Sequence, residues 1–255
     1  MNGRFRSERV AGYEISIYLP LSYKIYSEVK RYPVVYVQDA GEVVRSGYNY
    51  IDHLVMTNQL PEIIFVGIEP QNRNLNYTPW PAPALLSGMP DFGGGAKAYL
   101  QVLVEQIKPY IDANFATLQD QEHTGIAGCS FGGLLSIYAA YQYPDVFGKF
   151  SLISASFWYE QFLEYMRSQA LSHSNHRIYM YVGQLEGVYK QNLQRYMVPN
   201  TYEAHALLLE KGIAPDQLRF ETNEQGTHDD FFFVQQFITS MTWLFSEGVK
   251  SNEYV

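Results

Sequence analysis

A single cysteine, Cys129, excludes any disulfide within the chain, so the fold must hold together through its core, as suits a reducing compartment. Basic residues are also scarce. Lys and Arg number 18 against 26 Asp and Glu, giving a net charge of −8, and no cluster of Lys or Arg interrupts that balance. This excludes a phosphate-backbone partner, which needs gathered cations, and gives no attraction to an anionic membrane. No uninterrupted apolar run approaches membrane-spanning length, and the N-terminal "MNGRFRSERVAGYEI" lacks the apolar centre of a secretory signal. A soluble, cytoplasmic protein is expected, with no nucleic-acid and no membrane partner. Internal repeats and low-complexity linkers are absent too, so one α/β domain over residues 1–255 is expected.

What the chain has in quantity is apolar and aromatic surface, at 47% and 16% of residues, including 22 Tyr. That is enough for a sizeable core in a chain of this length. The hydrophobic period switches repeatedly between two and about 3.6, the pattern of an α/β protein. "YEISIYL" alternates and predicts a half-exposed antiparallel edge strand. "PVVYVQ", "EIIFVGI" and "HTGIAG" are short continuous apolar runs, as expected of parallel strands covered on both faces. Further strands are predicted at "FSLISA", "RIYMYVG" and "DQLRFETN", with helices over Tyr99–Ile111, Leu134–Tyr141 and "FFFVQQFITSMTWLF".

Residues 69–95 fit neither period. This Pro- and Gly-rich stretch, ending in three glycines, carries Arg73, Tyr77, Trp80 and Phe92. Loops of this length are uncommon in a compact domain and often serve function. A wall of a substrate cleft and a surface excursion are both compatible with it.

"GCSFGG", residues 128–133, lies where a predicted buried strand ends and a predicted helix begins. A nucleophilic serine at a strand-to-helix turn needs glycines two positions away on each side, so that strand and helix can approach without Cβ clashes. Ser130 is therefore the candidate nucleophile. A serine hydroxyl is weakly nucleophilic near neutral pH and requires a base oriented by an acid, in the chain order Ser, acid, His. His205 falls in a helix, "YEAHALLLEKG", and His173 and His176 fall in a polar stretch before a strand, where solvated loop positions are expected. His228, in "NEQGTHDDFFF" between the last strand and the last helix, is the candidate base. Asp229 and Asp230 suit the start of that helix rather than a metal cluster. Glu186, a short turn after "RIYMYV", is the preferred acid, with Glu160 and Glu164 as alternatives.

Together these segments resemble the Putative esterase family of α/β-hydrolases, in particular its siderophore-esterase branch. "VVYVQDAG", "NRNLNYTPW", "IAGCSFGG", "VGQLEG" and "GTHDD" each match a family segment, while Ala40 stands where the family usually has Gly and Glu186 where many relatives have Asp. The resemblance implies an α/β-hydrolase fold, with a mostly parallel central sheet and helices on both faces. It also implies hydrolysis of a small-molecule ester without metal or organic cofactor, through backbone oxyanion donors at Phe131 and Gly41. Tyr77 and Trp80 would line the substrate site, and Arg73 would either meet an anionic catecholate trilactone or anchor its own loop. A short-chain carboxylesterase, an S-formylglutathione-type hydrolase, an acyltransferase and a non-catalytic binding protein are the alternatives; oligomeric state is left open.

Overall fold

The structure, a computed structural model, describes residues 4–171 and 176–246. Its strands are β1 (Phe5–Val10), β2 (Tyr13–Tyr18), β3 (Val34–Val37), β4 (Ile64–Ile68), β5 (Pro81–Ala82), β6 (Phe92–Gly93), β7 (Thr124–Cys129), β8 (Lys149–Ile153), β9 (Arg177–Gly183) and β10 (Leu218–Asn223). Its helices are α1 (Tyr23–Tyr26), α2 (Glu42–Met56), α3 (Arg73–Asn76), α4 (Ala96–Val102), α5 (Lys108–Asn114), α6 (Phe131–Gln142), α7 (Phe162–Ser168), α8 (Met197–Glu210) and α9 (Asp230–Leu244). A π-helical stretch, Leu103–Ile107, joins α4 to α5.

Among the described residues, eight strands form one sheet in the order β1-β2-β4-β3-β7-β8-β9-β10. From β4 to β10 all neighbours are parallel, whereas β2 is antiparallel to both β1 and β4. Alternate residues of the central strands enter opposite cores. Val34, Tyr36, Ile126, Phe150, Leu152, Ile178 and Met180 pack on the side of α4, α6 and α8. Val35, Val37, Ala127, Ile153, Tyr179 and Tyr181 pack on the side of α2 and α9. Burial on both faces is why these strands read as unbroken apolar runs.

One expectation needs correction, and two elements go beyond those expected. "YEISIYL" is not an edge strand: β1 covers β2, and of residues 13–18 only Glu14 is exposed. β1 itself, "FRSERV", escaped notice because its charges and lack of alternation hide a strand, although charge is what protects a sheet edge from further pairing. The second omission is α2, whose buried Val44, Gly47, Ile51 and Leu54 recur at helical spacing, a signal that was available in "EVVRSGYNYIDHLVM".

Because the six strands from β4 to β10 run the same way, the turns after β3, β7, β8, β9 and β10 gather at one edge of the sheet. That edge carries the candidate site. Its last piece, the loop before α9, is anchored by the helix: Phe237 is fully buried and packs its ring on Phe65 of β4 at 5.6 Å. Phe237→Ala should lower the unfolding free energy by about 3–5 kcal/mol, read from the urea midpoint.

Candidate active site

Ser130 sits between β7 and α6 with φ 57° and ψ −119°, a conformation that a non-glycine residue holds only when its surroundings impose it. Three backbone hydrogen bonds do so. Its N–H donates to the Ile153 carbonyl (2.9 Å), and its own carbonyl accepts from the N–H groups of Leu134 (3.0 Å) and Ser156 (3.1 Å). The turn is tight enough that a Cβ on Gly128 would lie 2.4 Å from the Gly132 carbonyl carbon, so the first glycine of the motif is a steric requirement. The Ser130 hydroxyl lies 3.3 Å from that of Ser156. Cys129 is buried beside it, and burial pushes its thiol well above the ordinary range, with the Asp39 charge adding to the effect.

Two strands away, Glu186 follows β9 and is 2% exposed. Its carboxylate accepts three hydrogen bonds: from the Ser154 hydroxyl (2.6 Å) and the Gly183 N–H (2.8 Å) on Oε1, and from His228 Nδ1 (2.7 Å) on Oε2. His228 reaches it from the loop after β10. That loop is drawn against the acid turn where Gly183 meets Gly226, since a Cβ on Gly183 would lie 2.4 Å from the Gly226 backbone. The N–H groups of Gln184 and Leu185 donate to Asn223 and Gly226 across the same junction, at 2.9 and 3.0 Å. Behind the imidazole, Phe233 of α9 packs edge-on at 4.9 Å. Asp229 caps α9 by accepting from the Phe231 N–H, the role expected at this helix start.

Ser154 and Ser156 were not foreseen. Both are fully buried on the segment after β8, between the elbow and the acid turn. Ser154 takes φ 47°, directing its hydroxyl to Glu186, while Ser156 bonds Ser130. Two hydroxyls flanking one residue at a strand's end were the available sequence signal. Glu160 is exposed and precedes α7, and its carbonyl accepts from Trp80; Glu164 is an exposed-face residue of α7 paired with Arg167.

The turn after β3 is built from three consecutive residues of positive φ, Asp39 (54°), Ala40 (55°) and Gly41 (69°). The left-handed conformation at Ala40 is what a glycine would adopt without strain. Expectations about its surroundings are corrected. Gly41 donates its N–H to the Gln38 carbonyl at 3.2 Å, so that group is already engaged rather than turned to an oxyanion. Tyr77 is fully buried, and its hydroxyl accepts the Asp39 N–H at 2.8 Å, which leaves no ring face for substrate. Arg73 grips Asp39 through Nε (2.8 Å) and Nη2 (3.1 Å) and lies over the Tyr77 and Phe131 rings, contacts that fit the anchoring reading, and it also lines a cavity of about 260 Å³ with Gly128 and Cys129. Trp80 packs on Phe162 and Tyr165 and donates to the Glu160 carbonyl, fastening its segment to α7. Residues 69–95 contain α3 and the β5-β6 hairpin, and Phe92 packs against Phe131 at 5.2 Å.

The other histidines lie elsewhere. His173 falls outside the described residues. His176 is buried rather than solvated, packed on Phe150 with Nε2 near the Pro144 carbonyl. His205 packs on Phe220, and burial lowers its pKa. Among the described residues, Asp120, Glu122 and His123 form a group with metal-compatible spacing, but it precedes β7, at the opposite end of that strand from Ser130. Also among the described residues, no helix is long and apolar enough to cross a membrane.

A strained serine at a strand-to-helix elbow and a histidine held by a buried acid, both at the carboxyl edge of a doubly covered parallel sheet, define an α/β-hydrolase. Residues 11–244 match the model of the family described as Putative esterase, and the chain belongs to that family of carboxylic ester hydrolases. It is 35% identical over 248 residues to the uncharacterized protein YbbA of Bacillus subtilis, covering 97% of this chain and 98% of that one. Solved structures of similar fold include an IroE-like serine hydrolase from Shewanella oneidensis (TM-score 0.80, 22% identity, 95% of this chain and 80% of that one). Siderophore hydrolase EstA from Aspergillus nidulans is comparable (TM-score 0.79, 17% identity, 96% and 95%). The enterobactin esterase FES from Shigella flexneri gives a TM-score of 0.76 at 15% identity, covering 95% of this chain and 59% of that one.

Two outcomes test this geometry. Arg73→Ala should lower kcat/KM for neutral and anionic esters alike, on the order of tenfold to a hundredfold, because it loosens the turn after β3 rather than removing a substrate contact. A loss confined to anionic esters would return Arg73 to the substrate site. Cys129 in the native protein should resist iodoacetamide at pH 8 and react fully once the chain is denatured, as followed by mass spectrometry.

Proposed function

We propose that the protein hydrolyses esters through an acyl-enzyme on Ser130, with His228 as general base and acid and Glu186 as its orienting partner. The observation that carries this reading is the 2.7 Å hydrogen bond between His228 Nδ1 and Glu186 Oε2. A carboxylate that receives the Nδ1 proton leaves Nε2 as the basic nitrogen. Ser130 Oγ attacks the ester carbonyl as its proton passes to His228 Nε2. The tetrahedral intermediate then collapses, the C–O bond to the alcohol breaks, and the Nε2 proton leaves with the alcohol. Water, deprotonated by the same nitrogen, attacks the acyl-serine and releases the acid, restoring the Ser130 hydroxyl.

The developing oxyanion requires donors already in place. Phe131 supplies one, as the first residue of α6, where backbone N–H groups lack an acceptor within the helix. In the turn after β3, the Asp39 N–H is engaged by Tyr77 and the Gly41 N–H by Gln38. We therefore assign the second donor to the Ala40 N–H, in place of Gly41. The substrate class we propose is siderophore-type esters such as catecholate trilactones, supported by the enterobactin esterase and siderophore hydrolase among the similar folds.

Ser130→Ala should abolish turnover and also labelling by a fluorophosphonate probe, with the fold retained by circular dichroism. Glu186→Gln should lower kcat by about 10³- to 10⁴-fold, since the imidazole loses its tautomer and orientation, whereas Glu160→Gln should change it little. The reverse pattern would place the acid on the segment after β8. A p-nitrophenyl acetate series assayed beside a catecholate trilactone reads the substrate class; a strong preference for the short acyl esters would replace it with a general carboxylesterase.

A further inference from the structure

Beyond Glu186 the chain folds back on itself over residues 185–196. Gly187 has φ +78°, and a Cβ there would lie 2.2 Å from the Gln194 carbonyl oxygen, so the two arms of the loop touch. The Lys190 N–H donates to the Gly187 carbonyl (2.9 Å), and the Asn192 side chain accepts from the Gln194 N–H (3.0 Å). Between this loop and the histidine loop is a cavity of about 290 Å³, whose lining includes Leu185, Tyr189, Lys190, Met197, Thr227 and His228. Tyr189 is 91% exposed and Leu185 42%, an unusual display of apolar surface beside a catalytic histidine.

The charge of the loop over residues 184–196 runs against that of the whole chain, while the facing histidine loop carries Glu224, Asp229 and Asp230. Residues 184–196, "QLEGVYKQNLQRY", hold Lys190 and Arg195, and their one carboxylate is Glu186, whose two oxygens are occupied by Ser154, Gly183 and His228. Arg195 lies over the Tyr196 ring at 4.7 Å. The Lys190 ammonium makes no ion pair among the described residues.

The sheet order assigns the cavity a side. β3, β7 and β9 carry the turn of Ala40, Ser130 and Glu186 in that sequence along the edge. An ester carbonyl oxygen directed toward β3 leaves its alcohol oxygen on the β9 side, beside the imidazole that must protonate it. We infer that this cavity receives the alcohol half of the ester and selects an alcohol that bears an anionic aromatic ring, with Tyr189 against the ring and Lys190 meeting the anion. The inference rests on the serine-esterase reading and names the specificity of that site.

Three esters separate the halves: phenyl acetate, neutral throughout; 4-acetoxybenzoate, anionic on the alcohol side; and phenyl hemisuccinate, anionic on the acyl side. In Lys190→Gln the ratio of kcat/KM for 4-acetoxybenzoate to that for phenyl acetate should fall about threefold to tenfold, the range of an exposed ion pair. The ratio for phenyl hemisuccinate should hold, Lys190→Arg should restore the first ratio, and added salt should reduce it in the wild type. A fall in the hemisuccinate ratio instead, or no change in either, overturns the inference. Binding of intact 4-acetoxybenzoate to Ser130→Ala, with and without Lys190→Gln, reads the cavity by calorimetry without turnover, and equal affinity overturns it as well. Continued hydrolysis by Ser130→Ala would instead refute the serine mechanism, while the kcat/KM ratios of Lys190→Gln still decide the cavity.

Discussion

The Glu186 carboxylate is the point on which the site is assembled. It is buried, and it accepts from the segment after β8, from the end of β9 and from the loop before α9. Three stretches distant in sequence thereby take fixed positions relative to one another. A buried carboxylate without such donors would carry a large desolvation cost, so its hydrogen bonds and the placement of His228 are the same physical requirement. The glycine contact between residues 183 and 226 brings the two loops close enough for that requirement to be met.

On the opposite flank of Ser130, an Arg–Asp pair performs the corresponding task. Three successive residues with positive φ form a turn that would not persist unaided. Arg73 and Tyr77, both from the segment after β4, hold Asp39 by its carboxylate and its N–H. Burial works against the guanidinium's charge, but the Asp39 hydrogen bonds and charge outweigh it and raise its pKa. The aromatic groups of the 69–95 segment, read in isolation as substrate contacts, chiefly secure this scaffold.

The two flanks are chemically unlike. On the β3 side the Arg73–Asp39 pair lines a cavity of about 260 Å³ together with Gly128, Cys129 and Phe233. On the β9 side the cavity is lined by the exposed Leu185 and Tyr189 and by Lys190, with Glu186 and His228 at its edge.

The sequence by itself determined the α/β class, the elbow at Ser130, the histidine loop and the acid turn. Each of these is a local matter: continuous apolar runs mark doubly covered strands, and glycines two residues from a serine mark a turn that only they can make. What only the tertiary structure decided were the partners. That β2 is interior depends on β1, paired across a short turn, and nothing in "YEISIYL" records it. The engaged N–H of Gly41, the burial of Tyr77 and the pairing of Arg73 with Asp39 join residues 34 or more positions apart or lie in backbone geometry, and residue type cannot disclose which polar group is already satisfied. Ser154 and Ser156 were visible as residues but not as links, because a hydroxyl acquires its role from the atom that the fold brings within hydrogen-bond reach.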